Sequence, residues 1–274
     1  MPEIPDLEVI KDFLNERIVG REIVRVDVPK PWIVRSIAAD DFAADVRGRR
    51  FGTIIRKGKD LLFPLDSDRL LVINMMLTGH LQYTGGDTKL AKRTFFVLGM
   101  PGADLRYLDD RQMGLVYYLR PDQLDRVPRL LEMGPDALDD GLTFDEFKLK
   151  IRPYSGEIKG VLAKGKFLSG IGNAYVDEIL WEAKISPFRK CRTLSDEELL
   201  QVYDAVPKVL KEATEVVRER MPPDIHIKVR DFLKVHRNGG EPCPRCGSTI
   251  SEITPNQRIT SWCRTCQPGS LIKN

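Results

Sequence analysis

The chain has 274 residues and a mass of 31.2 kDa, which favours about two domains, because domains usually hold ~100–200 residues. Hydrophobic residues make up 42% and charged residues 30%, a balance that excludes a disordered, collagenous or disulfide-rich scaffold. No apolar run approaches the ~18 residues of a membrane span, and the N-terminus is acidic where a signal peptide is basic. We therefore expect a soluble, cytoplasmic protein.

The charge is unevenly distributed along the chain. The formal net charge is only +3, from 43 basic and 40 acidic side chains. Residues 221–274 carry eight basic and four acidic side chains, so the whole excess lies in this last part of the chain. The same part holds four of the five cysteines.

The first part of the chain reads as one helix followed by short strands. Residues 5–19 are predicted to be helical, with Pro5 in the first turn and Gly20 after the end. Valines alternate with other residues at 24–28 and predict a first strand. Six further segments of strand composition follow, at 51–56, 61–65, 70–74, 93–98, 104–108 and 114–119. Many short strands at this spacing predict a β-sandwich or barrel.

Beyond about residue 122 the pattern becomes helical. TFDE at 143–146 and SDEE at 195–198 are capping boxes that begin helices. Pro207 is expected to kink or split the second of these helices. Residues 154–190 are also predicted to be helical, with a break at GIGN, 170–173. Such a turn exposes backbone N–H groups that bind phosphate, although a plain connector between helices has the same sequence.

Four cysteines form two C-x₂-C pairs, Cys243 with Cys246 and Cys263 with Cys266. Sixteen residues separate the pairs, a spacing that fits a tetrahedral zinc site of four thiolates. Two disulfides or a redox pair are the alternatives, and disulfides are rare in chains without an export signal. Four protein ligands leave no open position, so the predicted zinc is structural. Cys191 is predicted to be a free, buried thiol.

The residues between the two cysteine pairs predict a β-hairpin. Segments 253–254 and 259–262 have strand composition, and Pro255 with Asn256 supplies a turn. Arg258 would lie near the tip, where it suits a nucleic-acid groove. A solvated arginine on an ordinary hairpin is the alternative.

A set of short motifs runs in order along nearly the whole chain: MPEIP at 1–5, RKGK at 56–59, MLTG at 76–79, LRYLDDRQMG at 105–114, FLSGIGNAY at 167–175 and the cysteine tail from 240 to 267. In this order and spacing they resemble the formamidopyrimidine-DNA glycosylase and endonuclease VIII family of base-excision repair enzymes.

The resemblance and the residue patterns together imply an α+β multidomain fold. Residues 1–122 would form a catalytic domain of an N-terminal helix and a β-sandwich, and 123–220 a helix–two-turn–helix DNA-binding domain. Residues 221–274 would form a linker and a zinc-finger hairpin with one structural Zn²⁺. The implied partner is double-stranded DNA with a damaged base or an abasic site, bound by a monomer.

The resemblance also implies catalytic roles. Met1 is removed in this family, and the amine of Pro2 attacks C1′ of the damaged nucleotide to form a Schiff base. An α-amino group titrates near ~7.7–8 against ~10.4 for lysine, so more of it is unprotonated at neutral pH. Glu3 matches the general acid, and Lys59 matches a lysine that approaches the lesion. Taken alone, a Met-Pro start is commonplace and Lys59 fits a solvated hairpin tip.

Such enzymes flip the damaged nucleotide out of the duplex, and three residues then fill the gap. By position these are Leu77, Arg111 and Met113, with the arginine facing the orphaned base. The purine-specific branch usually has Met and Phe at the flanking positions, whereas a Leu wedge is more like the pyrimidine-specific branch. The alternative is that Leu77 and Met113 belong to the core.

Lys159 and Asn173 match DNA-backbone contacts of the family, and Arg258 matches an arginine that enters the minor groove. Three features depart from the family pattern. Asp6 replaces the usual Glu, Asn74 stands where the purine branch has His, and segment 220–227 does not resemble the lesion-capping loop. The three histidines show no ligand or triad spacing and are interpreted as structural or surface residues: His80, His226 and His236.

The leading hypothesis is a bifunctional DNA glycosylase/AP lyase that removes oxidised purines, 8-oxoguanine and formamidopyrimidines, with β,δ-elimination. One alternative is the same chemistry on oxidised pyrimidines or abasic sites, as in endonuclease VIII. The other is a damaged-DNA-binding protein without catalysis.

Overall fold

The computed structural model describes residues 1–66, 68–255 and 258–269. The chain divides into two compact units. The first comprises 1–132 and 216–229, and the second comprises 133–215 and the residues from 230 onward. The domain boundaries at 122 and 220 stay predictions. Within the described residues, no helix is long and apolar enough to cross a membrane.

The first unit begins with helix α1, Ile4–Ile18, one residue earlier than predicted. Its apolar side is buried, as the spacing of Leu7, Ile10 and Leu14 requires. The chain leaves the helix at Gly20, whose φ of 77° lies in the left-handed region that glycine tolerates.

The described part of the first unit contains nine strands and one further short helix. The strands are β1 Arg25–Asp27, β2 Val34–Ser36, β3 Ile55–Lys57, β4 Asp60–Leu65, β5 Arg69–Asn74, β6 Gly79–Thr84, β7 Thr94–Met100, β8 Ala103–Asp109 and β9 Leu115–Leu119. The short helix α2 spans Phe42–Val46.

The strands form two sheets, which confirms the predicted β-sandwich. One has the order β1-β7-β8-β6 and the other β2-β9-β5-β4-β3. All neighbours are antiparallel except β2 and β9. Phe42 of α2 packs edge-on against Phe96 of the first sheet and Tyr118 of the second, so one buried ring joins both.

Several predicted strand limits are wrong. In place of a strand at 51–56, Phe51 makes a single bridge to Leu65 and β3 begins only at Ile55. The sequence analysis also did not predict α2, β2 or β6. These elements have three to six residues, so their apolar periodicity is too short to stand out.

The described helices of the second unit are α3 Phe144–Ile151, α4 Ile158–Leu162, α5 Asn173–Glu182 and α6 Asp196–Arg220, whose residues from 216 belong to the first unit. Both capping boxes are present: Thr143 and Glu146 exchange hydrogen bonds, and so do Ser195 and Glu198. A split at Pro207 is wrong, because α6 continues through it. Burial of Val206 and Leu210 offsets the lost backbone hydrogen bond.

The second unit ends in an antiparallel hairpin of β10, Ile250–Ile253, and β11, Thr260–Cys263. The first strand therefore begins three residues before the predicted one. Arg258 is exposed, and its backbone N–H donates to the Pro255 carbonyl at 2.9 Å. Asn256 of the predicted turn lies outside the described residues.

Candidate functional site

Two carboxylates shape the start of the chain. Glu3 and Asp6 are both buried, and the backbone N–H of Glu3 donates to the Asp6 carboxylate at 2.8 Å. Asp6 therefore caps α1, where the helix dipole favours a negative charge. The sequence had left the role of Asp6 open. Its shorter side chain suits this local contact and fixes the main chain of Glu3.

The terminal amine lies against a loop of the first unit. The α-amino group of Met1 donates to the Leu77 carbonyl oxygen at 3.3 Å. Lys228 Nζ donates to the same oxygen at 3.1 Å. Burial and then Lys228 lower the pKa of this amine to about 5, while the charges of Glu3 and Asp6 act in the opposite direction. Lys228 was missed by the sequence analysis because it lies just beyond the unfamiliar segment 220–227.

Lys59 lies in the tight turn between β3 and β4 and is half-buried. Gly58 before it has a φ of 57°. The next residue, Asp60, is buried, and burial raises its pKa to about 6 against the opposing effects of Asn74, Lys57 and Lys59. The lysine thus stands next to a buried carboxyl group in the tight turn of a hairpin.

One buried carboxylate, that of Asp109, fixes both loops that carry the predicted gap-filling residues. It accepts hydrogen bonds from Thr78 Oγ1 at 2.5 Å, from Arg111 N at 3.1 Å and from Gly114 N at 2.7 Å. The first belongs to the loop of Leu77 and the other two to the loop at 110–114. Sequence reasoning missed this role, although Asp109 is part of the quoted motif at 105–114.

The gap-filling side chains themselves face solvent. Leu77 is 45% exposed, Met113 is 39% exposed, and Arg111 is also exposed. The alternative that Leu77 and Met113 are core residues is therefore wrong. Their backbone is fixed while their side chains stay available.

Two glycines allow both loops to pack against Tyr107. A Cβ at Gly79 would lie 2.4 Å from the Tyr107 hydroxyl oxygen, and a Cβ at Gly114 would lie 1.7 Å from it. Burial and the nearby Asp109 carboxylate raise the pKa of Tyr107. The protonated hydroxyl donates to Asp109 at 3.4 Å.

In the second unit, Lys159 and Asn173 hold the cysteine hairpin. Lys159 Nζ donates to Asp177 Oδ1 at 2.6 Å, to the Ile259 carbonyl at 2.7 Å and to Thr260 Oγ1 at 2.9 Å. Asn173 Nδ2 donates to the same Ile259 carbonyl at 2.8 Å. These contacts are internal, and the DNA contacts of both residues stay predictions.

Two adjacent acids of α5 anchor the segment that leads into the hairpin. The second oxygen of Asp177 lies 2.8 Å from His236 Nδ1 and accepts the Ser261 N–H at 3.2 Å. Glu178 accepts three backbone N–H groups, at 234–236. Burial raises the pKa of Glu178, and these hydrogen bonds oppose that shift. Two adjacent acids in the otherwise apolar run 174–181 were a signal for such anchoring that the sequence analysis did not use.

The four cysteine thiols meet at one point, with all sulfurs within 4.8 Å of one another. Cys243 and Cys266 sulfurs are 3.9 Å apart, and those of Cys246 and Cys263 are 3.5 Å apart. A tetrahedral site with Zn–S bonds of ~2.3 Å requires sulfur separations of ~3.8 Å, whereas a disulfide requires ~2.05 Å. The residues therefore fit one structural Zn²⁺, which confirms the prediction.

The remaining cysteine lies outside the zinc site, and two of the histidines lie near each other. Cys191 is free and buried as predicted, and burial raises the pKa of its thiol to about 11. The rings of His80 and His226 lie 6.2 Å apart between centroids. Segment 220–227 thus packs beside β6 in the first unit.

Comparisons with known proteins agree over nearly the whole chain. The formamidopyrimidine-DNA glycosylase N-terminal domain matches residues 1–116, the H2TH domain of the same glycosylase matches 133–221, and the zinc finger found in FPG and IleRS matches 240–269. A formamidopyrimidine-DNA glycosylase of Desulfitobacterium hafniense is 34% identical over 97% of this chain and 100% of its own length. One from Pelotomaculum thermopropionicum is 31% identical over 97% and 99%.

Solved structures of Lactococcus lactis Fpg have the same fold. A mutant in complex with Fapy-dG-containing DNA has a TM-score of 0.89 and 26% identity, over 98% of this chain and 100% of that one. A complex with abasic-site DNA has the same TM-score and identity, over 97% and 100%. The chain belongs to the formamidopyrimidine-DNA glycosylase family.

Proposed function

We propose that this protein is a bifunctional DNA glycosylase/AP lyase that removes oxidised purines, 8-oxoguanine and formamidopyrimidines, from double-stranded DNA. The observation that carries the proposal is that Pro2 stands directly before the buried Glu3 at the N-cap of α1, so that an amine at Pro2 and a carboxylate would lie together. It is supported by relatives named formamidopyrimidine-DNA glycosylase and by the Fapy-dG complex of a similar protein.

The proposed chemistry begins with removal of Met1, which makes Pro2 the terminal amine. The unprotonated nitrogen bonds to C1′ of the damaged nucleotide while the bond from C1′ to the base breaks, and the proton that the nitrogen then loses neutralises the departing base. Glu3 donates a proton to the sugar ring oxygen as the ring opens, and the nitrogen and C1′ form a Schiff base. Loss of a proton from C2′ then expels the 3′ phosphate, and a second elimination expels the 5′ phosphate. Hydrolysis of the Schiff base frees the enzyme.

The other residues of the site bind and position the DNA in this proposal. Lys59 approaches the lesion and its phosphate. Leu77 and Met113 wedge into the gap left by the flipped nucleotide, and Arg111 faces the orphaned base. These three side chains are well placed for that role because they are exposed on loops fixed by Asp109.

In the second unit, Lys159 and Asn173 would contact the DNA backbone, and Arg258 would enter the minor groove. The structural zinc keeps the hairpin of Arg258 folded. The protein would act as a monomer in the cytoplasm, on nucleoid DNA if the source is bacterial.

Borohydride trapping on a lesion-containing duplex tests the proposal. We expect a covalent complex with the processed wild-type protein and a strong loss of trapping in Pro2→Gly, with DNA binding largely retained. Glu3→Gln should lower the excision rate by roughly 10²–10⁴-fold. The N-terminus is first checked by mass spectrometry. No trapping by a zinc-loaded, processed protein would overturn the proposal, and unchanged trapping in Pro2→Gly would make another amine, Lys59 first, the nucleophile.

A second candidate is the same chemistry on oxidised pyrimidines or abasic sites. It is favoured by the exposed Leu77 wedge and by segment 220–227, which does not resemble the lesion-capping loop and places the His226 ring beside that of His80. Excision rates on duplexes with 8-oxoguanine, formamidopyrimidine, thymine glycol and an abasic site separate the two candidates. Faster excision of thymine glycol than of both purine lesions would favour the second.

A further inference from the structure

Trp32 is exposed to solvent in a way that the other two tryptophans are not. Its surface is 63% accessible, against 5% for Trp181 and 2% for Trp262. Aromatic side chains bury a large apolar area when they pack in a core, so this ring contributes little of that area to folding. A single exposed apolar residue is ordinary, and its meaning depends on what holds it and what surrounds it.

The indole of Trp32 is held in place at two points. It lies in a short 3₁₀ turn, Pro31–Ile33, that is anchored by the buried Ile33. Its ring packs edge-on against the buried Phe95, with centroids 6.2 Å apart. Its N–H donates to Gln112 Oε1 at 3.3 Å. The ring is therefore oriented before any partner arrives.

The partner of this hydrogen bond is the middle residue of a predicted DNA-contacting loop. Gln112 stands between Arg111 and Met113, and its φ of 57° turns the loop sharply. Trp32 and Met113 are both exposed, so the indole extends the apolar surface of the same loop.

The surroundings of Trp32 are positively charged. Lys30 Nζ donates to the Lys92 carbonyl at 2.9 Å, and Arg93 donates to the Asp110 carbonyl at 2.8 Å. These acceptors are main-chain oxygens, so neither hydrogen bond pairs the charge of Lys30 or Arg93 with a carboxylate. Arg111 adds another exposed cation, and Asp110 contributes the acid of this loop. Fixed aromatic rings among cations are the usual platform for nucleic-acid strands.

We propose that Trp32 is a further DNA-contacting residue, which packs against the undamaged strand at the nucleotide beside the orphaned base. The inference rests on the proposed function, in which Arg111 faces that orphaned base. The wedge interrupts base stacking there and exposes a base face that an aromatic ring can cover. The hydrogen bond to Gln112 couples the position of the indole to that of the wedge loop.

Fluorescence quenching by acrylamide tests the contact directly. Trp181 and Trp262 are buried, so the quenchable emission of the free protein should come from Trp32. Saturation with a duplex that carries an uncleavable abasic analogue should protect that emission. Trp32→Phe should remove both the quenchable emission and its protection. Unchanged quenching in the presence of saturating duplex would overturn the inference.

Binding affinity provides the second measurement. Trp32→Ala should weaken binding to the same duplex by roughly 5- to 100-fold, the range for loss of one aromatic–base stack, and Trp32→Phe should retain most of the affinity. Val19→Ala is the matched control, because Val19 is an exposed apolar residue that follows α1. Thermal melting shows whether each variant is folded.

The outcomes separate this inference from the proposed function. If wild-type protein is trapped by borohydride but Trp32→Ala binds like Val19→Ala, only the role of Trp32 is wrong. The surface would then suit a protein partner instead of DNA. If wild-type protein is not trapped at all, the proposed function fails first.

Discussion

The two regions predicted to contact DNA present their side chains in opposite ways. In the first unit, Leu77, Arg111 and Met113 face solvent while hydrogen bonds to Asp109 fix the loops that carry them. In the second unit, the Lys159 ammonium group lies inside, bonded to Asp177 and to the main chain of the hairpin. One region fixes the backbone and frees the side chains. In the other, Lys159 and Asn173 fix the backbone of the hairpin that carries the exposed Arg258.

This difference shows that the number of cationic side chains predicted to contact DNA does not equal the number of phosphate contacts. Buried polar groups take internal partners, so the charge of Lys159 is largely compensated before DNA arrives. The wedge residues lose hydration only when DNA binds. Each region can therefore be perturbed separately by a substitution or by metal removal. The perturbations should differ in the size of their effect and in the residues that they affect.

Zinc removal should have the largest effect, confined to the second unit. Structural zinc supplies ~10–16 kcal/mol of apparent binding free energy, more than a small hairpin gains from its own packing. With a strong chelator, hydrogen exchange should lose protection at 250–253 and 260–263. Protection at 77–80 and 109–114 should persist, because the described bonds of the Asp109 network involve no hairpin residue.

A matched pair of cysteine variants controls this experiment. Cys246→Ser removes one zinc ligand, whereas Cys191→Ser changes a buried thiol outside the metal site. We expect zinc release from the first variant and not from the second. If the hairpin kept its protection against hydrogen exchange after verified zinc loss, zinc would not be what keeps the hairpin folded.

The zinc site was the part of the structure most open to prediction. Metal geometry is local, so cysteine spacing alone identified the four ligands, and the capping boxes at 143–146 and 195–198 are equally local. The cluster around Asp177 was not predictable in this way. It joins α5 to His236 and Ser261, and such pairing depends on tertiary packing that no short motif encodes.

Loss of the Lys159 side chain should destabilise the second unit. Lys159→Met leaves the buried Asp177 carboxylate with one fewer partner, and breaking a buried ion pair costs ~3–5 kcal/mol. We expect a lower denaturant midpoint in urea unfolding, with hydrogen exchange faster around β11. Lys150→Met, an exposed lysine of α3, is the matched control and should stay within ~0.5 kcal/mol of wild type.

The salt dependence of DNA binding then measures how far Lys159 also acts as a DNA ligand. Each phosphate contact contributes about −0.9 to the slope of log affinity against log salt. A slope reduced by that amount supports the proposed backbone contact, and an unchanged slope assigns Lys159 to the hairpin alone. If Lys159→Met left the stability unchanged, Lys159 would not hold the hairpin in place. The contrast between the two regions would then be lost.

The wedge loops show a second limit of sequence reasoning. The motifs identified Leu77, Arg111 and Met113, but left open whether the apolar pair was core or surface. The answer depends on Asp109 and on Tyr107, whose hydroxyl occupies the space beside Gly79 and Gly114. Those contacts link two loops about thirty residues apart, so hydrophobic periodicity could not reveal them.

The smallest expected effect concerns Lys228, which supports the Leu77 loop and lies near the terminal amine. Its positive charge disfavours the protonated amine of Met1 and so lowers the pKa of that group. After Met1 is removed, the same charge should act on the amine of Pro2, so in Lys228→Gln we expect the pKa of that amine to rise, with less unprotonated nucleophile on the acidic side. The acid limb of the trapping rate should move to higher pH, with a loss of up to about tenfold there, or one pKa unit.

The shape of this pH profile separates two roles of Lys228. Lys228→Arg keeps the cation. Glu3 and Asp6, which raise the pKa of the Met1 amine, are also unchanged, so this variant should keep the acid limb of the wild-type profile. If Lys228 acted only by holding the Leu77 carbonyl, Lys228→Gln would lower trapping equally at all pH values. That result would make Lys228 a support of the loop backbone, like Asp109. A shifted limb would instead show that Lys228, in the region whose wedge side chains face solvent, also lowers the pKa of the nucleophilic amine. Lys159 is unsuited to such a task, because its charge is already compensated.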